Sequence, residues 1–295
     1  MGSVQKTTIL VLLACLIHLT MPKNNRRQFL SKALALSSAA ILPLAASTKS
    51  FEENEQPQSL PSLKGRKVLF VFGGWDGHEP EKFRDYMVPW MKGEGAEVLV
   101  HSSPEPYANK NIMDSIDLVI QIMTMSSITK EQEKGLLEAI EKNGTGMAGW
   151  HGGMGDAFRN NPDYQYMTGG QFVIHPGGVI DYRVNITNKK DAITQGLHDF
   201  NMHSEQYYMH VDPNVKVLAT TKFSGKYNSW IDGCVMPVSW KRMHGKGRVF
   251  YTSLGHNLDH ITKVADAIEM LKRGISWASG SKYLPAEKWI SPVYG

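Results

Sequence analysis

The sequence predicts an α/β fold: a flavodoxin-like, open, mostly parallel sheet with helices on both faces. Three observations predict it. Residues 67–73 form a continuous apolar run closed by Gly73, which is how a strand buried on both faces reads. Further strand-length apolar runs then alternate with helically spaced segments as far as Trp150, the order expected of a parallel sheet wrapped by helices. Several of these runs end in turns rich in Gly and His, and ligands in such sheets gather beyond the carboxyl ends of the strands.

The elements follow in order. After the first strand, Pro80–Lys92 spaces Phe83, Met87, Trp90 and Met91 as one face of a helix. Glu97–His101 is a short second strand and Asp117–Ile122 a third. Thr129–Asn143 opens on a capping-box pair, Thr129 and Gln132, and sets Leu136, Leu137 and Ile140 on one side of a helix. Gly146–Trp150 is a fourth strand. The second half is richer in strand, with Val179–Thr187, Val215–Thr220, Met236–Trp240 and Arg248–Leu254, and Val264–Trp277 closes the domain as a helix. This divides the chain into a leader (1–50), a polar, proline-containing linker (51–64), one α/β domain (65–281) and a C-terminal tail (282–295).

The leader explains the charge. The chain has 295 residues and a formal charge of +4, but six of its 32 basic residues lie in the first fifty, which hold no acid. The rest carries 26 basic against 28 acidic side chains, with no basic stripe, which argues against a nucleic-acid partner. Asn25-Arg26-Arg27-Gln28-Phe29-Leu30 looks like a twin-arginine export motif, followed by an apolar stretch and small residues at Ala45–Ser47. That pattern is a signal peptide rather than a membrane span, and it places the protein in the periplasm or cell envelope without stable membrane insertion. A second apolar run precedes Met21, so translation starting at Met21 is one reading and a lipoprotein site at Cys15 another. With Cys15 in the leader, Cys234 remains as a lone thiol that cannot form an internal disulfide.

The polar residues collect where strands end. The first strand runs into Gly73-Gly74-Trp75-Asp76-Gly77-His78-Glu79, the fourth into Gly149-Trp150-His151-Gly152-Gly153, and the last into Ser253-Leu254-Gly255-His256. Parallel strands bring His78, His151 and His256 to one sheet edge, where a neutral imidazole serves as base or metal ligand. Gly149-x-His151-x-Gly153 has the shape of a nucleophile elbow with histidine at its apex. Two further segments add His175 before a proline, and Glu205, Tyr207, Tyr208 and His210. Read as one strand, the latter puts Glu205 and Tyr207 on one face and Tyr208 and His210 on the other; either face could meet the site. His101, His198, His203, His244 and His260 read as surface residues.

Together these segments resemble the ThuA-like family, named for trehalose utilisation. The likeness spans about residues 67–279 and rests on His78-Glu79, the His151-Gly152 turn, Glu205 with Tyr207 or Tyr208 and His210, the run from Gly245 to Tyr251 leading into Gly255-His256, and Arg273-Gly274-Ile275-x-Trp277. The resemblance implies a class I glutamine amidotransferase-like fold with His151 in the cysteine position and His256 in the histidine position, hence no amidotransferase activity. It also implies carbohydrate catabolism, with a small-molecule keto-sugar, glycoside or disaccharide as substrate. The expected site is therefore His151, His256 and Glu205 as catalytic residues. His78, Glu79, Trp150, Tyr207 and His175 are expected to bind substrate, and His151, His256 and His210 to hold a divalent metal such as zinc; no nucleotide cofactor is expected. The alternative is a sugar-binding protein without turnover.

Overall fold

The computed structural model describes residues 59–289. The leader, with its export motif and alternative starts, the first part of the linker and the last residues of the tail lie outside the described residues. The expected alternation is realised as β1 (Lys67–Gly74), α1 (Pro80–Gly93), β2 (Glu97–His101), α2 (Lys110–Ser115), β3 (Leu118–Thr124), α3 (Lys130–Glu141) and β4 (Gly146–Trp150). Two short helices follow, α4 (His151–Gly155) and α5 (Pro162–Thr168). The strand-rich half comprises β5 (Gly170–Ile174), β6 (Val179–Ile186), β7 (Phe200–Glu205), β8 (Tyr208–Val211), β9 (Lys216–Lys222), β10 (Val235–His244) and β11 (Gly247–Thr252). The helices α6 (Leu258–Thr262) and α7 (Ala265–Ser279) close the domain.

Nine strands form one sheet in the order β2-β1-β3-β4-β11-β10-β9-β6-β7. The first five are mutually parallel, from β2 to β11. The remaining strands continue the sheet by antiparallel pairing. The parallel half is buried on both faces, as the unbroken apolar runs require: Val68, Leu69, Phe70 and Val71 are all 0 % exposed. Alternate residues enter two cores. Val68, Phe70, Ile120 and Ala148 pack with Phe83 and Met87 of α1 and with Leu271 and Ile275 of α7. Leu69, Val71, Val119 and Met147 pack with Leu136 and Ile140 of α3. Each fully buried Val, Leu, Ile, Phe or Met among them contributes about 1.5–3 kcal/mol. The capping box at α3 forms as read, with the Gln132 amide donating to Thr129 Oγ1 and the Thr129 amide to Gln132 Oε1.

Three boundaries differ from the sequence reading. Residues 204–210 are not one strand: β7 ends at Glu205, and the chain turns through Gln206 and Tyr207 before β8 pairs with β5 in a separate two-stranded sheet. Packing already begins within the expected linker, since Leu63 is 2 % exposed in the core. The start of the tail is bonded to the domain, with Glu287 accepting from Lys241 Nζ (2.8 Å) and Trp277 Nε1 (2.6 Å). Among the described residues, no helix is long and apolar enough to cross a membrane.

Candidate functional site

Because β1, β4 and β11 are parallel, their carboxyl ends meet, and the turns after them deliver His78, His151 and His256 to one place. His151 starts α4 directly after β4 with φ 47°. A left-handed backbone at a non-glycine residue costs about 1–3 kcal/mol and marks a functional turn more often than an accident. The surrounding glycines make the turn possible. A Cβ on Gly152 would lie 2.5 Å from His78 Cε1, and one on Gly149 would lie 2.5 Å from the Gln121 carbonyl. Glu79 also has positive φ, 50°, where the turn after β1 enters α1.

Glu205, at the end of β7, is the centre of the group. Its Oε2 lies 3.1 Å from His151 Nε2, 3.2 Å from His256 Nδ1 and 4.0 Å from His78 Nε2. The four side chains each offer one donor atom, and all four atoms fall within 4.8 Å of one another. The other ring nitrogens of His78 and His151 are occupied by the protein. His78 Nδ1 bonds Thr124 Oγ1 at 2.8 Å, and His151 Nδ1 lies 2.7 Å from the Ser253 carbonyl. A carbonyl can only accept, so His151 Nδ1 carries the hydrogen and a neutral ring turns its Nε2 lone pair toward the Glu205 carboxylate. His256 Nδ1 is buried and, though close to Oε2, has no aligned hydrogen bond.

The electrostatics favour neutral His78 and His151 rings beside an ionised carboxylate. Burial lowers the His151 pKa, against the opposing pull of Glu205 and the Ser253 carbonyl. Burial first, and then the neighbouring imidazoles His151 and His256, push His78 down to about 2. Burial opposes ionisation of Glu205, but His151 and His256 more than offset it and hold the carboxyl well below its usual range. The lone pair of a neutral His151 ring and the carboxylate facing it at 3.1 Å repel unless a proton or cation lies between them. The donor set, three imidazoles and a carboxylate, with the outer nitrogens of His78 and His151 fixed by second partners, therefore fits a divalent ion.

Tyr207 stacks on His151 with ring centroids 4.1 Å apart and is itself held by Phe172 at 4.4 Å. The Tyr251 hydroxyl donates to the His151 carbonyl at 3.1 Å and pins the elbow from below. His175 stands at the rim with its side chain 40 % exposed and Nε2 3.6 Å from Glu205 Oε1. Trp75 is 46 % exposed and meets the His78 ring edge-on at 4.7 Å.

Three expected site residues are placed elsewhere. His210 is exposed on β8, opposite Gln171, and outside the four-residue group; the chain break before β8 separates it from Glu205, and His78 takes the place expected for it. Trp150 is 2 % exposed and packs against Phe70 and Phe83; it shares the core-facing side of β4 with Ala148, so it offers no face to a sugar. The Glu79 carboxylate is already engaged, accepting from the Leu258 amide at 3.1 Å and from Lys82 at 2.6 Å, so it ties the turn after β1 to the start of α6 rather than facing a ligand. Conversely, His260 was expected at the surface but stacks 5.6 Å from His256. Sequence reading missed Thr124 and the Ser253 carbonyl. Thr124 lies just beyond the expected end of its strand, and a backbone carbonyl leaves no sequence signal.

The ThuA family, described as trehalose utilisation, matches residues 67–278. Among solved structures, a ThuA-like protein from Bacteroides uniformis is 17% identical, covering 75% of this chain and 93% of its own at a TM-score of 0.60. A ThuA-like protein from Parabacteroides merdae is 19% identical, covering 76% and 94% at 0.59. A cytoplasmic protein from Salmonella typhimurium LT2, 11% identical, covers 73% and 98% at 0.50. These likenesses concern the fold. No match was found among curated proteins.

Proposed function

This chain belongs to the ThuA family, described as trehalose utilisation, and on that premise we propose that it is a carbohydrate-handling enzyme. The proposed reaction is proton transfer beside a sugar ketone, as in a 3-keto-glucoside, at a divalent metal centre of His78, His151, Glu205 and His256. The observation that carries this reading is His151. Its Nδ1 is fixed by the Ser253 carbonyl while Nε2 faces Glu205, 3.1 Å away, an orientation that suits a metal ligand and leaves a neutral ring without a partner otherwise.

Three imidazoles and a carboxylate suit Zn²⁺. A divalent ion bound there would polarise the substrate carbonyl and stabilise the charge that develops on its oxygen. The chain's own residues do the rest. Thr124 and Ser253 hold His78 and His151 in register, and Tyr207 keeps the His151 ring from turning. His175, outside the four-residue set, has Nε2 at the open side of Glu205 and is the imidazole placed to take a proton from the carbon next to the ketone. The elbow presents an imidazole rather than a thiol, which supports the absence of amidotransferase chemistry. The exposed Trp75 favours a second reading, sugar binding without turnover, in which ligand affinity survives removal of the metal.

The test is solvent exchange. Zinc-loaded protein in D₂O with a 3-keto-glucoside should exchange the proton beside the ketone, followed by NMR, and Glu205→Ala should not. Absence of exchange in the metal-loaded wild type, with sugar binding retained, would favour the binding protein instead. The twin-arginine segment supports a periplasmic or cell-envelope location. Residues 1–50 fused to a reporter should be exported only in cells with a functional twin-arginine pathway, and export without that pathway would count against this location.

A further inference from the structure

The four side chains of the centre are largely buried, with the half-exposed His175 at its open side. The cavity at its inner side measures about 10 Å³, roughly the space for a single water. A much larger groove of about 470 Å³ lies on the outward face of the antiparallel half of the sheet, within the size range of small-molecule sites. Its floor is continuous with the centre. In β7, His203 and Glu205 are alternate residues and share a face, and they pair across to Asp181 and Val179 of β6. The side wall reaches the centre by a second route. The Tyr227 ring lies against Gly177 at a place that a Cβ would occupy, and this loop carries His175, whose Nε2 is 3.6 Å from Glu205 Oε1.

The groove has a charge of its own. Arg183, Lys222 and Lys226 line it, against one carboxylate, Asp181, and Arg183 is already 3.8 Å from the Asp199 carboxylate outside the groove lining. The Asp181 carboxylate is already paired with His203 Nδ1 at 2.7 Å. Among the described residues, neither lysine ammonium has a carboxylate within 4.0 Å, and Lys226 extends over the Tyr227 ring at 5.2 Å. Outside the leader the chain has a small excess of acid, 28 against 26, so a cationic groove is a local feature and not a share of general basicity. Cations gathered in a concave surface attract and hold an anion more strongly than the same charges spread over a convex one.

We infer that this groove is a subsite for an anionic substituent, a carboxylate or a phosphate, on the saccharide whose ketone ring is presented to the metal centre. The inference rests on the carbohydrate reading above. Tyr227 supplies an apolar face for the sugar ring, and Lys222 and Lys226 neutralise the charged group.

The experiment is calorimetric titration of the full-length, zinc-loaded protein with glucose, glucuronate and glucose 6-phosphate, and with acetate and inorganic phosphate as sugar-free probes. At least one charged sugar should bind about tenfold or more tightly than glucose, as one charge-assisted contact provides. The Lys222→Gln/Lys226→Gln variant should bring the difference within about twofold at unchanged zinc content. Both lysines are exposed, so the variant leaves the core intact. A preference for glucuronate identifies a carboxylate and one for glucose 6-phosphate a phosphate. Equal affinity for glucose and both charged sugars, or a preference that persists in the variant, would overturn the proposal. So would acetate or phosphate binding as tightly as the charged sugars, since the groove would then hold anions without regard to sugar. A protein without metal or proton exchange that still prefers charged sugars would retain the subsite and lose the proposed reaction.

Discussion

Gly152→Ala tests the cluster without replacing a ligand. The added Cβ would lie 2.5 Å from His78 Cε1, 2.8 Å from His78 Nδ1 and 3.0 Å from Thr124 Cγ2. Ordinary contact begins near 3.4 Å, so the imidazole must withdraw by about 0.9 Å. The bond from His78 Nδ1 to Thr124 Oγ1, 2.8 Å long, would then stretch toward about 3.7 Å, beyond hydrogen-bond range. Loss of such an outer partner typically weakens metal binding about 10- to 100-fold, or about 1.4–2.7 kcal/mol. Gly152 does not have positive φ, so its backbone accepts alanine. Stability of the metal-free protein should fall by about 1–3 kcal/mol, the cost of overpacking a buried position, partly offset by the better helix propensity of alanine. The assay is zinc affinity by chelator competition, with urea unfolding of the metal-free form as control. In a His78→Ala background the same substitution should have no further effect on zinc affinity, because the clash is gone. Zinc affinity within twofold of wild type in the single variant would refute the assignment of His78 as a ligand.

Other outcomes follow from the same geometry. Glu79→Ala should weaken zinc binding about tenfold by releasing the Leu258 amide that holds the turns bearing His78 and His256 together. Glu79→Gln keeps an acceptor and should retain affinity, and equal losses in both would count against this positioning role. Tyr251→Phe leaves the buried His151 carbonyl without its donor and should cost about 1–3 kcal/mol in urea unfolding; a change under about 0.5 kcal/mol would show that the elbow does not depend on it. Burial opposes ionisation of Glu287, but Lys241 and Trp277 Nε1, with Arg248, hold its pKa below 4.5. A carboxyl with a depressed folded pKa stabilises the protein above its unfolded pKa, and this stability is lost as pH falls through the folded value. Unfolding free energy should therefore decline below about pH 4.5, and less steeply in Glu287→Gln; identical acid profiles would rule out this contribution.

The fold was legible because its signals are local. Apolar runs such as 67–73 and the Thr129–Gln132 box speak for themselves, and their order implies a parallel sheet. The convergence of His78, His151 and His256 was legible for the same reason, since it depends only on strand ends. Glu205 and His210 were harder. Whether they share a strand depends on the turn at Gln206–Tyr207, which contains neither glycine nor proline to announce it. Trp150 shows the opposite case. Its parity with Ala148 on β4 placed it in the core, but its position beside His151 drew it toward the site. Thr124 and the Ser253 carbonyl hold the inner rings through tertiary contacts, and such partners become visible only when the strands are side by side.

The most direct measurement is the metal content of the purified full-length protein beside Glu205→Ala, by elemental analysis after dialysis against trace zinc. About one divalent ion per wild-type chain is expected, and a loss of most of it in the variant, since Glu205 approaches all three imidazoles. A wild-type protein that holds no ion while folded, or a variant that holds as much as wild type, would contradict the metal centre.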